Sequence, residues 1–61
     1  MRIGSKVVLK ETVIVVTGAK AQALPIGTKG ILKRVHRDAA TLQIGGALYS
    51  DIPLQSLKQD Q

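Results

Sequence analysis

The sequence predicts an all-β fold: a small, five-stranded, strongly bent antiparallel barrel with a long first loop and a 3₁₀ turn before the last strand. Aliphatic and polar residues alternate in short runs, β-branched residues dominate those runs, and glycine or proline separates them. Alternation gives each strand one buried face, so short strands joined by turns can enclose a single core. All 61 residues are predicted to form one such domain.

Near the start of the chain the sequence predicts one strand, followed by either a second strand or a bent continuation of the first. Lys6 to Lys10 alternates, with Val7 and Leu9 on one face. After Glu11-Thr12, the run from Val13 to Thr17 is almost entirely β-branched, which a sheet packs well and a helix tolerates poorly.

The next segment, Ala19 to Leu24, has good helix propensity, but Pro25 stops it after six residues. An isolated helix of that length is unstable, so a long loop with at most one helical turn is predicted. The stretch from Leu24 to Val35 then joins a turn to a strand. Pro25 fixes φ, and Gly27 and Gly30 can take positive φ, so a tight turn is expected there.

A β-bulge or a sharp coil is predicted in that strand. Leu32 and Val35 are three residues apart, which breaks the period of two, and a bulge or coil between them would turn both side chains inward. Small barrels need such bends. Asp38 to Ala40 is then predicted as a tight turn, and Thr41 to Ile44 as the following strand.

The C-terminal part completes a meander. Gly45-Gly46 is a hairpin dipeptide, because both glycines can adopt the positive φ that favoured turns require. Ala47 to Ser50 resumes as a strand. Pro53 ends the sheet, and Gln55 to Leu57 suits a single 3₁₀ turn.

Three stretches resemble the SH3-like barrel superfamily. They are Gly4-Ser5-Lys6-Val7-Val8-Leu9, Pro25-Ile26-Gly27-Thr28-Lys29-Gly30-Ile31-Leu32 and Ile52-Pro53-Leu54-Gln55-Ser56-Leu57. In that superfamily a G-x-x-V opening, a P-x-G-T-x-G-x-V second strand and a V-P-x-x-x-L close recur in this order. Ribosomal and transcription-factor KOW domains and the photosystem I reaction-centre subunit IV family are similar types. The resemblance implies a fold and does not specify a function.

Composition narrows the functional classes. Nine Lys and Arg against four Asp and Glu give a formal net charge of +5, which favours anionic partners such as nucleic acid or an acidic protein surface. Absent cysteine excludes disulfides and thiolate metal sites. Tyr49 is the only aromatic residue, so neither a polyproline groove nor a methyl-lysine cage can be built. With a single histidine and four scattered carboxylates, no enzyme, metal or cofactor is expected.

Binding to the nucleic-acid backbone is the first functional prediction. Basic residues are dense along the strand after Pro25, where they could engage several phosphates of duplex DNA or structured RNA. The alternative is a solvated strand edge whose lysines discourage aggregation. The predicted contact residues are Lys29, Lys33, Arg34, His36 and Arg37, extended by Lys6 and Lys10.

A structural adaptor is the second functional prediction: a subunit that docks on a larger protein complex, or forms a homo-oligomer. The segment from Thr17 to Ile26 is apolar without a strand period, so a partner could order it. Val8, Val13 and Val15 could join it wherever their faces stay uncovered. The alternative is that the segment caps the barrel end. The predicted docking residues are Ala21, Ala23, Leu24, Ile26 and Tyr49.

No transmembrane segment is predicted, because the apolar run from Thr12 to Ala19 is too short to span a bilayer. Met1-Arg2 leads into charged residues without the apolar region of a signal peptide. The sequence therefore predicts a cytoplasmic protein.

Overall fold

The structure, a computed structural model, describes residues 2–60; of Thr17 it describes the backbone but not the side chain. This part of the chain contains seven strands and one 3₁₀ turn, which confirms the predicted all-β class. The elements are β1 (Lys6–Leu9), β2 (Val13–Thr17), β3 (Lys20–Leu24), β4 (Lys29–His36), β5 (Ala39–Ile44), β6 (Ala47–Pro53), η1 (Leu54–Ser56) and β7 (Leu57–Gln59).

The strands form two antiparallel sheets. Five of them pair in the order β6-β5-β4-β1-β7, and β2 pairs with β3 in a separate two-stranded sheet, called the hairpin below. These pairings, among residues 2–60, leave both sheets open. The hairpin is inserted between β1 and β4, and β2 packs against β6. No helix in residues 2–60 is long and apolar enough to cross a membrane.

One aliphatic core joins the two sheets, and every strand contributes to it. The alternation predicted for the first strand is confirmed, because Val7 and Leu9 are buried on β1; on β2, Val13 and Val15 are buried. The suggestion that Val13 and Val15 take part in docking is therefore wrong. The buried hydrophobic residues are Val7, Leu9, Val13, Val15, Leu24, Leu32, Ala40, Leu42, Ile52 and Leu57.

The segment predicted as a loop with one helical turn is strand β3, so that prediction is wrong. Thr17 pairs with Lys20 across a two-residue turn, in which Gly18 has a φ of 61°. Pairing with β2 then continues as far as Leu24. Helix propensity differs by only about 0.7 kcal/mol between ordinary residues, so a ladder of backbone hydrogen bonds readily overrides it.

The predicted bulge in β4 is confirmed, between Leu32 and Arg34 in the pairing with β5. The extra residue returns Val35 to the face that carries Leu32. Leu32 is fully buried, but Val35 is 42% exposed. The predicted burial of Val35 is wrong: this residue lies next to the β4–β5 turn, beyond the part of β4 that pairs with β1.

Glycine acts differently at the two positions flanking the start of β4. Gly27 has the predicted positive φ, at 89°, in a turn where the Thr28 N–H donates to the Pro25 carbonyl at 3.2 Å. Gly30 lies inside β4 and does not have positive φ, which corrects the prediction. A Cβ atom at Gly30 would lie 2.9 Å from Ile44 Cγ1, so glycine is needed there for close approach of β5.

Two later turns also differ from the expected form. The turn before β5 is Arg37-Asp38, with Arg37 at a φ of 58°, so Ala39 and Ala40 belong to the strand and not to the turn. At Gly45-Gly46 the predicted hairpin is present, with positive φ at Gly45 but not at Gly46. The 3₁₀ turn is confirmed and begins one residue before the predicted one.

Candidate nucleic-acid interface

The outer face of the five-stranded sheet, turned away from the core, carries lysines from three adjacent strands. Pairing of β1 with β4 sets Lys6 opposite Ile31 and Val8 opposite Lys29, and pairing with β7 sets Lys58 opposite Val8. Directly opposed residues share a face, and the residues on either side of Val8 are buried. Lys6, Lys29 and Lys58, called the lysine cluster below, therefore surround Val8 on the outer face. Strand spacing puts Lys29 and Lys58 about 10 Å apart at the backbone.

The same face continues to the far end of β4. Arg34 pairs with Thr41 and His36 with Ala39, whereas Val35 between them lies on the core side of the sheet. Arg34 and His36 are exposed, and Lys33 and Arg37 adjoin them in the bulge and the turn. These four residues, called the arginine cluster below, begin about 13 Å along the strand from Lys29 at the usual rise per residue. Asp38 follows the cluster directly, and Asp51 lines a small cleft with His36.

The predicted contact residues thus fall into two clusters instead of one patch. Lys6, Lys29, Arg34 and His36 share the outer face, with Lys33 and Arg37 beside it. Lys10 follows β1, and its N–H donates to the Ser56 carbonyl at 2.8 Å beside η1. Ser56 Oγ also donates to Glu11 Oε1 at 2.5 Å, which ties η1 to the start of the hairpin connection.

The sequence predicts a last strand after the 3₁₀ turn, but Lys58 was not among the predicted contact residues. Leu57 is buried and Lys58 is exposed, so β7 alternates like the other strands. The alternation of Leu57, Lys58 and Gln59 is a signal that could have placed Lys58 on the outer face of that strand.

Lys29 also takes part in an ion pair, the single one within residues 2–60. Its Nζ lies 3.8 Å from Asp60 Oδ2, and the Lys29 side chain is 71% exposed. An exposed pair of this kind contributes about 0–1 kcal/mol, since water screens it. Lys29 is therefore available to a stronger anion such as phosphate.

A concavity of about 420 Å³ opens beside the lysine cluster. One row of directly paired residues crosses it, from Lys6 on β1 through Ile31 on β4 to Gln43 on β5. Ile31 is 36% exposed, so the concavity has an aliphatic floor between two polar groups. The lining residues are Lys6, Lys29, Gly30, Ile31, Gln43, Gly45 and Asp60.

The outer face of the hairpin has the opposite character. Ile14 pairs with Ala23 and Val16 with Ala21, and these four residues form what is called the apolar hairpin face below. Ile14 is 62% exposed and Val16 74% exposed. Ala21 and Ala23 were predicted for docking, but Ile14 and Val16 were missed. Val13 and Val15 are buried, so Ile14 and Val16, which alternate with them, face outward.

The other predicted docking residues lie elsewhere. Ile26 is 65% exposed just beyond β3. Leu24 is 4% exposed and packs in the core, so its prediction as a docking residue is corrected. Tyr49 is partly buried and packs against the core from β6, opposite Leu42.

Comparison with protein-family models, with curated proteins and with solved structures found no match. Within residues 2–60, no group of three or more His, Asp or Glu side chains is placed to hold a metal ion. Functional inference therefore depends on the geometry of the two outer faces.

Proposed function

We propose that this protein is a non-catalytic binding module of the SH3-like, KOW-like type that contacts the phosphate backbone of duplex DNA or structured RNA. One observation carries the proposal: cross-strand register places Lys6, Lys29, Lys58, Arg34 and His36 on one face of one sheet. Three features support the SH3-like type: a five-stranded antiparallel sheet, an insertion between its first two strands along the chain, and a 3₁₀ turn before the last strand.

Charge and spacing suit a phosphate backbone. From Lys29 to Arg34 the face extends roughly 16 Å along β4, which is about five steps along one DNA strand at 3.4 Å each. Each lysine that neutralises a phosphate releases a condensed counterion, so affinity should fall as salt rises. Ammonium groups on flexible stems bind phosphate as point charges and need no fixed angle.

The rest of the face indicates a contact with little sequence specificity. Its uncharged positions hold aliphatic and amide side chains, among them Ile31, Gln43 and Leu48, and no aromatic ring on which several bases could stack. Phosphate contacts set position and affinity, whereas base contacts set sequence preference. The expected partner is therefore recognised by its charge and shape.

Fluorescence anisotropy with labelled duplex DNA and a structured RNA, at about 50 and 200 mM salt, tests the proposal. Replacing Lys6 or Lys58 by Gln should weaken binding and lower the slope of log affinity against log salt by about 1 for each lysine that no longer neutralises a phosphate. Lys20→Gln is the matched control, because it removes the same charge from the tip of the hairpin. The proposal would be contradicted if the protein did not bind at low salt, or if its affinity did not change with salt. Equal losses of affinity in Lys6→Gln, Lys58→Gln and Lys20→Gln would also contradict it.

A second candidate function is self-association through the apolar hairpin face. Ile14 and Val16 are exposed in adjacent cross-strand pairs, and such a contiguous apolar surface differs from scattered single residues. Among the ten residues of β2 and β3, Lys20 alone is charged, so an acidic partner would find little attraction here. A second copy of the chain can approach this face, because the basic clusters lie on the other sheet.

Sedimentation equilibrium tests this candidate. Ile14→Thr combined with Val16→Thr keeps β-branched residues in the strand but adds hydroxyl groups, which should shift the protein from dimer to monomer. Leu48→Thr is the control, because Leu48 is 66% exposed on the outer face of the five-stranded sheet. A parent protein that stays monomeric at high concentration would rule self-association out.

A further inference from the structure

We infer that the concavity beside the lysine cluster is a site for a single nucleotide, whose phosphate lies at Lys6 and Lys29 and whose base lies over Ile31. The inference rests on the proposed function, because it assigns one unit of the nucleic acid to one place on the outer face. It goes further because the site would then prefer one kind of base, in addition to binding a negatively charged phosphate.

The size and lining of the concavity suit a small flat ligand. Its volume of about 420 Å³ falls within the roughly 300–1,000 Å³ of small-molecule sites. Ile31 offers an aliphatic floor at the centre. Gly45 has no side chain, and a Cβ atom there would meet nothing within 4 Å, so a planar ring can approach the backbone at the edge of that floor.

Polar groups flank the floor on opposite sides. Ile31 pairs with Lys6 on one side and with Gln43 on the other. Strand spacing therefore puts the backbones of Lys6 and Gln43 about 10 Å apart. That separation is comparable to the length of a nucleotide from its phosphate to the edge of its base. The lysines supply ammonium donors for phosphate, and the Gln43 amide supplies a donor and an acceptor together.

The Gln43 amide is available for a ligand. Within residues 2–60 none of the side-chain hydrogen bonds involves it. An amide that donates and accepts at once matches the adjacent donor and acceptor of adenine, a pairing that Gln and Asn side chains commonly make. An adenine nucleotide is therefore the ligand that fits the lining best.

Asp60 gives the site a distinguishing property. Its carboxylate lies 3.8 Å from Lys29 Nζ on the rim of the concavity, where it both occupies Lys29 and repels a phosphate. Replacing Asp60 by Asn should therefore tighten binding of ligands that carry phosphate and leave binding of an uncharged nucleoside unchanged.

Titration of ¹⁵N–¹H NMR spectra with AMP, adenosine and inorganic phosphate tests the site. AMP should shift the backbone amide signals of the lining residues and bind more tightly than either adenosine or phosphate. Gln43→Leu should weaken AMP binding about three- to tenfold, the effect of removing one hydrogen bond, without changing phosphate binding. Gln22→Leu is the matched control, because Gln22 is exposed on the hairpin.

Three results would overturn the inference: AMP binding no tighter than phosphate, signal shifts outside the concavity, or equal affinities for AMP in the Gln43→Leu and Gln22→Leu variants. Asp60→Asn provides an independent variant, and unchanged AMP affinity in it would also count against the site. If duplex DNA binds with a salt slope while AMP does not bind, the inference fails and the proposed function stands. If AMP binds in the concavity while no polymer binds, the proposed function fails alone.

Discussion

The outer face of the five-stranded sheet carries Lys6, Lys29 and Lys58, whereas the outer face of the hairpin carries Ile14 and Val16. Both sheets bury alternate residues in the same core, so the difference lies wholly in the residues that packing leaves outside. Folding requires only that one face be apolar. The charged face and the apolar face are therefore free to meet different partners, an anionic polymer on one side and a second copy on the other.

The two sheets also differ in their share of the core. Of the ten buried hydrophobic residues, three come from the hairpin and seven from the five-stranded sheet. A 61-residue domain is expected to be stable by only about 3–9 kcal/mol, so a single core residue is a large part of the total. Changes in the larger sheet should therefore matter most.

The largest effect is expected for Leu32→Ala. Leu32 is fully buried on the central strand β4, and truncating such a leucine costs about 2–5 kcal/mol. Val15→Ala on the hairpin should cost less, about 1.5 kcal/mol, because fewer methyl groups are removed and Val15 is 6% exposed. Urea unfolding followed by circular dichroism measures both. Equal losses would mean that the hairpin supports the core as strongly as the sheet does.

The parts of the fold that could be predicted from the sequence are those where the residues of a single strand carry a clear local pattern. β1 follows from the alternation that puts Val7 and Leu9 on one face, β2 from its run of β-branched residues, and the bulge from the three-residue step after Leu32. β3 could not be predicted in this way, because Lys20 to Ala23 are all exposed, so their alternation of polar residues with alanine marks no buried face. Its extended state depends on pairing with β2, and such a non-local interaction leaves little trace in the strand's own sequence.

The candidate interface shows the same limit. Charge density along residues 29–37 predicted one patch, but an extended strand advances about 3.3 Å per residue and separates Lys29 from the arginine cluster. The residues that do adjoin Lys29 are Lys6 and Lys58, which lie 23 and 29 positions away in the sequence and are brought together by strand pairing. The concavity also depends on this pairing, and nothing in the local sequence indicates it.

An intermediate effect is expected at Gly30, where β5 lies close to β4. Gly30→Ala would place a Cβ atom 2.9 Å from Ile44 Cγ1 and 3.0 Å from the Gln43 carbonyl oxygen, so β4 and β5 would have to separate. The expected loss is about 1–3 kcal/mol, as for other overpacked sites. Gly46→Ala is the control, because a Cβ atom there meets nothing within 4 Å and its φ is not positive. If both variants have the same Tm as the parent protein, β5 can move away from Gly30 without a loss of stability.

The smallest effect on stability is expected from changes in the hairpin turn and in the β4–β5 turn. The hairpin turn has glycine at its positive φ, Gly18 at 61°, but the corresponding position in the β4–β5 turn of the larger sheet is Arg37 at 58°. Left-handed backbone costs a non-glycine residue about 1–2 kcal/mol, and the greater freedom of glycine in the unfolded chain offsets about 0.5–1 kcal/mol of that. Arg37→Gly should therefore stabilise the protein slightly, raising Tm by a few degrees, whereas Gly18→Ala should lower it. A fall in Tm for Arg37→Gly would mean that contacts of the Arg37 guanidinium stabilise the protein by more than the left-handed backbone at this residue destabilises it.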